Sequence, residues 1–141
     1  RGSTIAYPLM THGPNNLGAI ALYSERFIGG EFLDPVQVVS GDSIFENIKV
    51  NFIKIDVQGH ELDCLKGAIK TINSNELHVL MVEMDFDNFP ENCEDIFVFL
   101  NSLGFKAFTF ANKKFAAIQS TQSMSGYYDF FYLKGISLEK I

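Results

Sequence analysis

Tryptophan is absent, cysteine occurs twice, and basic residues are outnumbered: 11 Lys and Arg face 17 Asp and Glu, a net charge of −6. Each scarcity excludes something. Nonspecific nucleic-acid binding works through clustered Lys and Arg on phosphates, so no nucleic-acid partner is expected. The nearest approach to a basic patch, Lys106, Lys113 and Lys114, reads as a solvated hairpin tip. Cys64 and Cys93 have neither zinc spacing nor the density of a disulfide framework, so reduced thiols and a cytoplasmic setting are expected. No apolar run approaches the roughly 20 residues a bilayer span needs. No segment combines a basic start, an apolar middle and a small-residue cleavage site. Neither a membrane partner nor a targeting peptide is expected.

What is present suits a globular chain: 47% of the 141 residues are hydrophobic, enough for one core. No internal repeat, low-complexity tract or linker divides it, so residues 1–141 read as a single domain. Arg1-Gly2-Ser3 lacks an initiator Met and reads as a tag remnant or a cleavage point. The chain is accordingly treated as a candidate piece of a longer protein.

The first third is loop-rich. His12-Gly13-Pro14-Asn15-Asn16 is a dense turn signal. A short strand is expected from Ala19 to Tyr23, a break at Gly29-Gly30, and another strand from Val36 to Val39. Asp42-Ser43 is placed to cap a brief helical turn through Ile44, Phe45 and Ile48.

From Lys49 the pattern sharpens. Residues 50–57 are apolar apart from Asn51, Lys54 and Asp56, as in a strand covered on both faces. Leu62, Leu65, Ile69 and Ile72 make one stripe of a helix over 60–73. Residues 77–84 read as a second buried strand and 88–92 as a loop. Cys93, Ile96, Phe97, Leu100 and Leu103 line a second helix that Gly104 ends. Residues 105–111 and 127–134 form two more strands, joined by a segment rich in Ser, Gln and Lys. The alternation implies an α/β fold: parallel strands with right-handed crossover helices, finishing in an antiparallel hairpin.

Ligands in open α/β sheets bind outside the carboxyl ends of the strands. Asp56 and Glu83 both fall at such ends, on strands expected to be neighbours. Gly59 permits an unusual backbone angle between them. His60 and Glu61 open the following helix. The plain structural alternative gives Asp56 a capping role, Glu61 a first-turn role and Glu83 hydration at a strand end. Their coincidence at one rim favours a ligand site. Asp56, His60, Glu61, Glu83 and Asp85 are oxygen-rich enough to ligate a divalent cation, yet no spacing demands one, and no metal is expected. His12 and His78 are isolated. The Phe-rich strands read as core and hairpin packing.

FIKIDVQGHELDCLKGA, residues 52–68, followed by LHVLMVEMD, residues 77–85, resembles the FkbM-type methyltransferases. Members of that family carry a strand ending Ile-Asp-Val-Glu-Gly, a helix with Glu, Leu, Leu, Lys and Gly, and a strand ending Val-Glu. The likeness covers residues 53–67 and 79–83 well, and extends loosely to VQVVSGDSIF upstream and Gly104-Phe105 downstream. It implies a partial Rossmann-like sheet, here the C-terminal portion of a class I methyltransferase-like domain. It also implies S-adenosylmethionine as cofactor, and O-methylation of a hydroxyl on a sugar or small metabolite. Asp56, His60 and Glu83 become the candidate catalytic residues, and Asp56, Gln58 and Gly59 the candidate cofactor contacts.

Two departures qualify the likeness. Gln58 stands where the family has Glu. The glycine-rich cofactor turn, expected after an early buried strand, has no counterpart before residue 53. The alternative is therefore a non-catalytic α/β fragment or interaction module that keeps only the fold. The family's sheet order sets the 50–57 strand beside the 77–84 strand, then the last strand, then the penultimate one. With its other neighbour missing, 50–57 becomes an apolar edge. Either the stretch around Ile20 folds back to cover it, or two copies pair there as a homodimer.

Overall fold

The computed structural model describes residues 3–5, 9–11, 20–22 and 36–136. The turn at His12 to Asn16 and the break at Gly29-Gly30 lie outside the described residues. Four short strands come first: β1 (Ser3–Ile5), β2 (Leu9–Thr11), β3 (Ile20–Leu22) and β4 (Val36–Val38). β1 pairs with β4 and β2 with β3, both antiparallel. The stretch around Ile20 is thus a strand, but among the described residues it is not paired with β5. It pairs with β2, a closer segment whose recruitment costs less loop-closure entropy.

Helix α1 (Gly41–Ile44) follows. Its cap is Ser40 rather than Asp42: Ser40 Oγ accepts from the Ser43 N–H at 3.3 Å. Asp42 instead reaches across to a later helix. The helix expected over 60–73 is two pieces, α2 (Glu61–Gly67) and α3 (Ile69–Ile72), broken at Ala68 with φ −116° and ψ 23°. α1 packs into the break so closely that a Cβ on Gly41 would stand 2.8 Å from Ala68 Cβ. Asp42 accepts from the N–H groups of Lys70 and Thr71 at 3.1 and 2.9 Å. A side chain from outside thereby caps the second piece.

The main sheet joins β5 (Phe52–Ile55), β6 (Val79–Asp85), β7 (Lys106–Ala111), β8 (Lys114–Ile118) and β9 (Tyr127–Leu133) in the order β5-β6-β9-β7-β8. β5 and β6 are parallel, and every other neighbouring pair is antiparallel. The chain is α/β with a mixed sheet. The 105–111 and 127–134 strands pair antiparallel as expected, but they are not one hairpin. The segment between them contains β8, which turns back on β7 through Asn112 and Lys113, both left-handed at φ 52° and 62°. That geometry suits a tight hairpin, and it puts Lys113 at the exposed tip. β9 then inserts between β6 and β7. Helix α4 (Pro90–Ser102) starts earlier than its apolar stripe suggested, because Pro90 fits the first helical turn.

The core lies on one face of this sheet. Along β6, Leu80, Val82 and Met84 are buried while the residues between them are half-buried. Phe130 and Tyr132 of β9 join them, under Leu65 of α2, Ile72 of α3, and Ile96 and Leu100 of α4. On the opposite face Phe108, Phe110, Phe115 and Phe131 form a ring cluster with centroids 4.9 to 6.5 Å apart. The expectation that 50–57 is covered on both faces is corrected. Among the described residues β5 buries only Ile55, Phe52 is 52% exposed, and β6 is its single strand neighbour.

Candidate functional site

The parallel register aligns Ile55 with Val82, so Asp56 and Glu83 follow side by side at the carboxyl ends of β5 and β6. One residue ties them together. The Gln58 side-chain amide donates to Asp56 Oδ1 and to Glu83 Oε2, each at 3.0 Å. Lys54, two residues back on the same face of β5, donates from Nζ to Asp56 Oδ2 at 3.1 Å. Across β6, Asp129 of β9 stands directly opposite Glu83. The rim therefore carries three acids in a row with one lysine at the β5 end.

The two bridged carboxyls are pushed apart electrostatically. Desolvation raises the Asp56 pKa, but the hydrogen bonds from Lys54 and Gln58 and the lysine's charge outweigh it, leaving the group below its ordinary value of 3.8. For Glu83 desolvation and the adjacent Asp56 charge act together, and the pKa lies above the ordinary 4.5. Asp129 adds to that rise. Divergent environments of this kind give two neighbouring carboxyls unequal proton affinities.

The elbow beneath is held by Glu61, which is buried at 4% exposure. Its carboxylate accepts from the main-chain N–H of Val57 and, with both oxygens, from that of Gly59, all at 3.1 Å. Asn92 of α4 donates to the same carboxylate and to the Gly59 carbonyl, each at 3.3 Å. Gly59 has φ 98°, and a Cβ there would meet the Phe89 ring at 2.9 Å. Here the sequence demands glycine for both angle and space.

Of the residues expected at the site, Asp56, Gln58 and Glu83 come together. Gly59 is next to them with its N–H engaged by Glu61. His60 stands at the start of α2 with Nδ1 3.6 Å from Asp63 Oδ2, and the bridge between the carboxyls does not run through it. Asp85 shapes the following loop, accepting from the N–H groups of Asp87 and Asn88 at 3.1 and 3.0 Å. Among the described residues no group of three or more His, Cys, Asp and Glu is arranged to hold a metal ion. Sequence reasoning missed Lys54 as a site residue and overlooked Asp129. A signal existed for the second: one charge interrupts the apolar run Tyr127 to Leu133.

The chain matches the family model described as methyltransferase FkbM domain over residues 10–107, and it belongs to that family. The match takes in the elbow, the bridged acids Asp56 and Glu83, and the upstream flank, which the residues alone linked only loosely. No curated protein and no solved structure matches the chain. No helix among the described residues is long and apolar enough to cross a membrane.

Proposed function

We propose that the chain is the acceptor-side portion of an S-adenosylmethionine-dependent O-methyltransferase acting on a hydroxyl of a sugar or small metabolite. The observation that carries this reading is the amide-bridged pair Asp56 and Glu83 at the rim of parallel strands, inside the matched family domain. The strand order β5-β6-β9-β7 supports it, being the order the family's Rossmann-like sheet would have at this end.

The bound donor supplies an electrophilic methyl group. The described residues do not by themselves fit the task of holding it. The Gln58 amide hydrogens go to Asp56 and Glu83, the Gly59 N–H goes to Glu61, and the nook behind them measures about 10 Å³. That is room for roughly one water. In this reading the donor rests on surface beyond these residues, and the acid pair serves the acceptor. Asp56, ionised at neutral pH and part-exposed, orients the acceptor hydroxyl and takes its proton. Glu83, the more readily protonated of the two, stands beside it in the same amide bridge. His60 is the second candidate base, since imidazole titrates near neutrality.

Calorimetric titration with S-adenosylmethionine tests the reading, followed by Asp56→Asn in a methyl-transfer assay. Micromolar binding, with turnover lost and affinity kept in the variant, supports the reading for this chain on its own. An unchanged rate in Asp56→Asn removes that residue from the mechanism. Absence of heat from the folded chain favours the second reading, a non-catalytic α/β module, to which the internally committed Gln58 amide and Gly59 N–H already lend support.

A further inference from the structure

Gln58 has φ 54°, and Gly59 follows at 98°. A residue with a Cβ is strained in that region, and a turn that needed only to bend would be served by glycine. The side chain there has a distinct task. One amide nitrogen carries two hydrogens, and at 3.0 Å from each carboxyl both are committed, one to Asp56 and one to Glu83. A glutamate in this position could donate neither.

The surroundings fix what such a bridge does. β5 brings Lys54 and Asp56, β6 brings Glu83 and Asp85, and β9 brings Asp129. From the helices, Glu61, Asn92 and Cys93 line the nook behind Gln58, and His60 and Asp63 pair at the start of α2. Acids dominate this set, so a neutral double donor is the side chain that adds bonds without adding charge.

We propose that Gln58 is the positioning residue of the proposed base: one amide, donating to both carboxyls, fixes Asp56 toward the rim and couples it to Glu83 as a single acid–base unit. The inference rests on the reading of Asp56 as base, but its own content concerns one amide and two carboxyls. With Lys54 on its other oxygen, Asp56 takes the anionic role. Glu83, beside that anion and facing Asp129, is the member of the pair that takes up a proton more readily. The unit then joins two carboxyls of unequal proton affinity through one amide, with Lys54 balancing the charge on Asp56.

The test is a carbon-detected NMR titration of the side-chain carboxyls in the whole chain, comparing wild type with Gln58→Gly and Gln58→Glu. Glycine adopts positive φ without strain, so the first variant removes the amide and spares the backbone. The second keeps the shape and replaces two donors with a charge. Amide spectra verify that each variant is folded. Because the Gln58 bond favours the anionic form of both neighbours, both midpoints are expected to shift upward in Gln58→Gly. In Gln58→Glu the upward shift is expected to be larger. Unchanged midpoints in either folded variant overturn the proposal. Cofactor heat is read separately. Shifted midpoints without heat keep the role of Gln58 and sink the methyltransferase reading of the chain, whereas unshifted midpoints with heat do the reverse.

Discussion

Removing the Glu61 carboxylate is expected to be among the most damaging changes to this fold that leave its apolar core intact. Two main-chain N–H groups, of Val57 and Gly59, point at it, and Asn92 ties it to α4. Hydrogen bonds to a charged acceptor contribute about 1.5–3 kcal/mol each, and a stranded buried donor costs about 1–3 kcal/mol. With two such donors and the α4 tie lost, Glu61→Ala is expected to cost about 3–5 kcal/mol, against a total of about 5–15 kcal/mol for a domain. Glu61→Gln keeps the shape and one acceptor but turns an amide hydrogen toward a backbone donor, for about 1–3 kcal/mol. Asp63→Ala, two residues along and 78% exposed, is the control, expected within about 0.5 kcal/mol of wild type. Urea unfolding with matched slopes reads all three, and the Val57 and Gly59 amide resonances report the elbow itself. A cost below about 1 kcal/mol for Glu61→Ala, or unmoved amide resonances, refutes the reasoning.

Asp42→Ala is expected to lose about 1 kcal/mol, the usual size of a helix cap. Desolvation raises the Asp42 pKa, but the bonds from Thr71 and Lys70 outweigh it and leave the group below 3.8. Its contribution is therefore present above the unfolded value and lost as pH falls through the folded one; a difference from wild type that persists in acid refutes this. Tyr132→Phe is expected to be neutral or stabilising by about 1 kcal/mol in thermal melts, since its buried hydroxyl has no hydrogen-bond partner among the described residues. A loss of that size refutes it. Gly59→Ala is expected to cost about 2 kcal/mol or more, from positive φ and from the Phe89 ring. Phe89→Ala in the same chain should remove only the ring part of that cost, which a double-mutant cycle reads. We also propose that two copies pair through the open edge of β5: sedimentation equilibrium is expected to show a concentration-dependent dimer, and a clean monomer with fast-exchanging amides over 52–55 refutes it.

The meeting of Asp56 and Glu83 was legible because it needs only two strand ends and a parallel pairing, both written in the apolar runs that precede them. The pairing of the 105–111 and 127–134 strands was legible for the same reason. β8 was not, since only Phe115 and Ile118 among its five residues are large and apolar, and its turn uses Asn112 and Lys113 rather than a glycine. The break at Ala68 was hidden too. The stripe of Leu65, Ile69 and Ile72 runs through it without a fault, and its cause is Asp42 and Gly41, more than 20 residues earlier in the chain. Long-range capping leaves no local mark. Asp42 sits beside a serine before an apolar stretch, and local spacing assigned it the wrong helix.

Asp56 and Glu61, five residues apart, show why acidic residues at an elbow cannot be read from their number. Both lie where β5 gives way to α2, and both accept hydrogen bonds. Glu61 accepts from main-chain N–H groups, is closed off from solvent, and cannot turn toward a ligand without releasing the loop that carries Gln58. Among the described residues Asp56 accepts from the side chains of Lys54 and Gln58, and it keeps a solvent-facing edge. The first carboxylate is part of the fold and the second is available to chemistry. The left-handed Gln58 links them: Glu61 holds the backbone on either side of it, and its amide then holds Asp56 against Glu83. A family Glu at this position would add a further acid to a rim that already holds Asp56, Glu83 and Asp129 against Lys54, whereas the amide adds two hydrogen bonds and no charge.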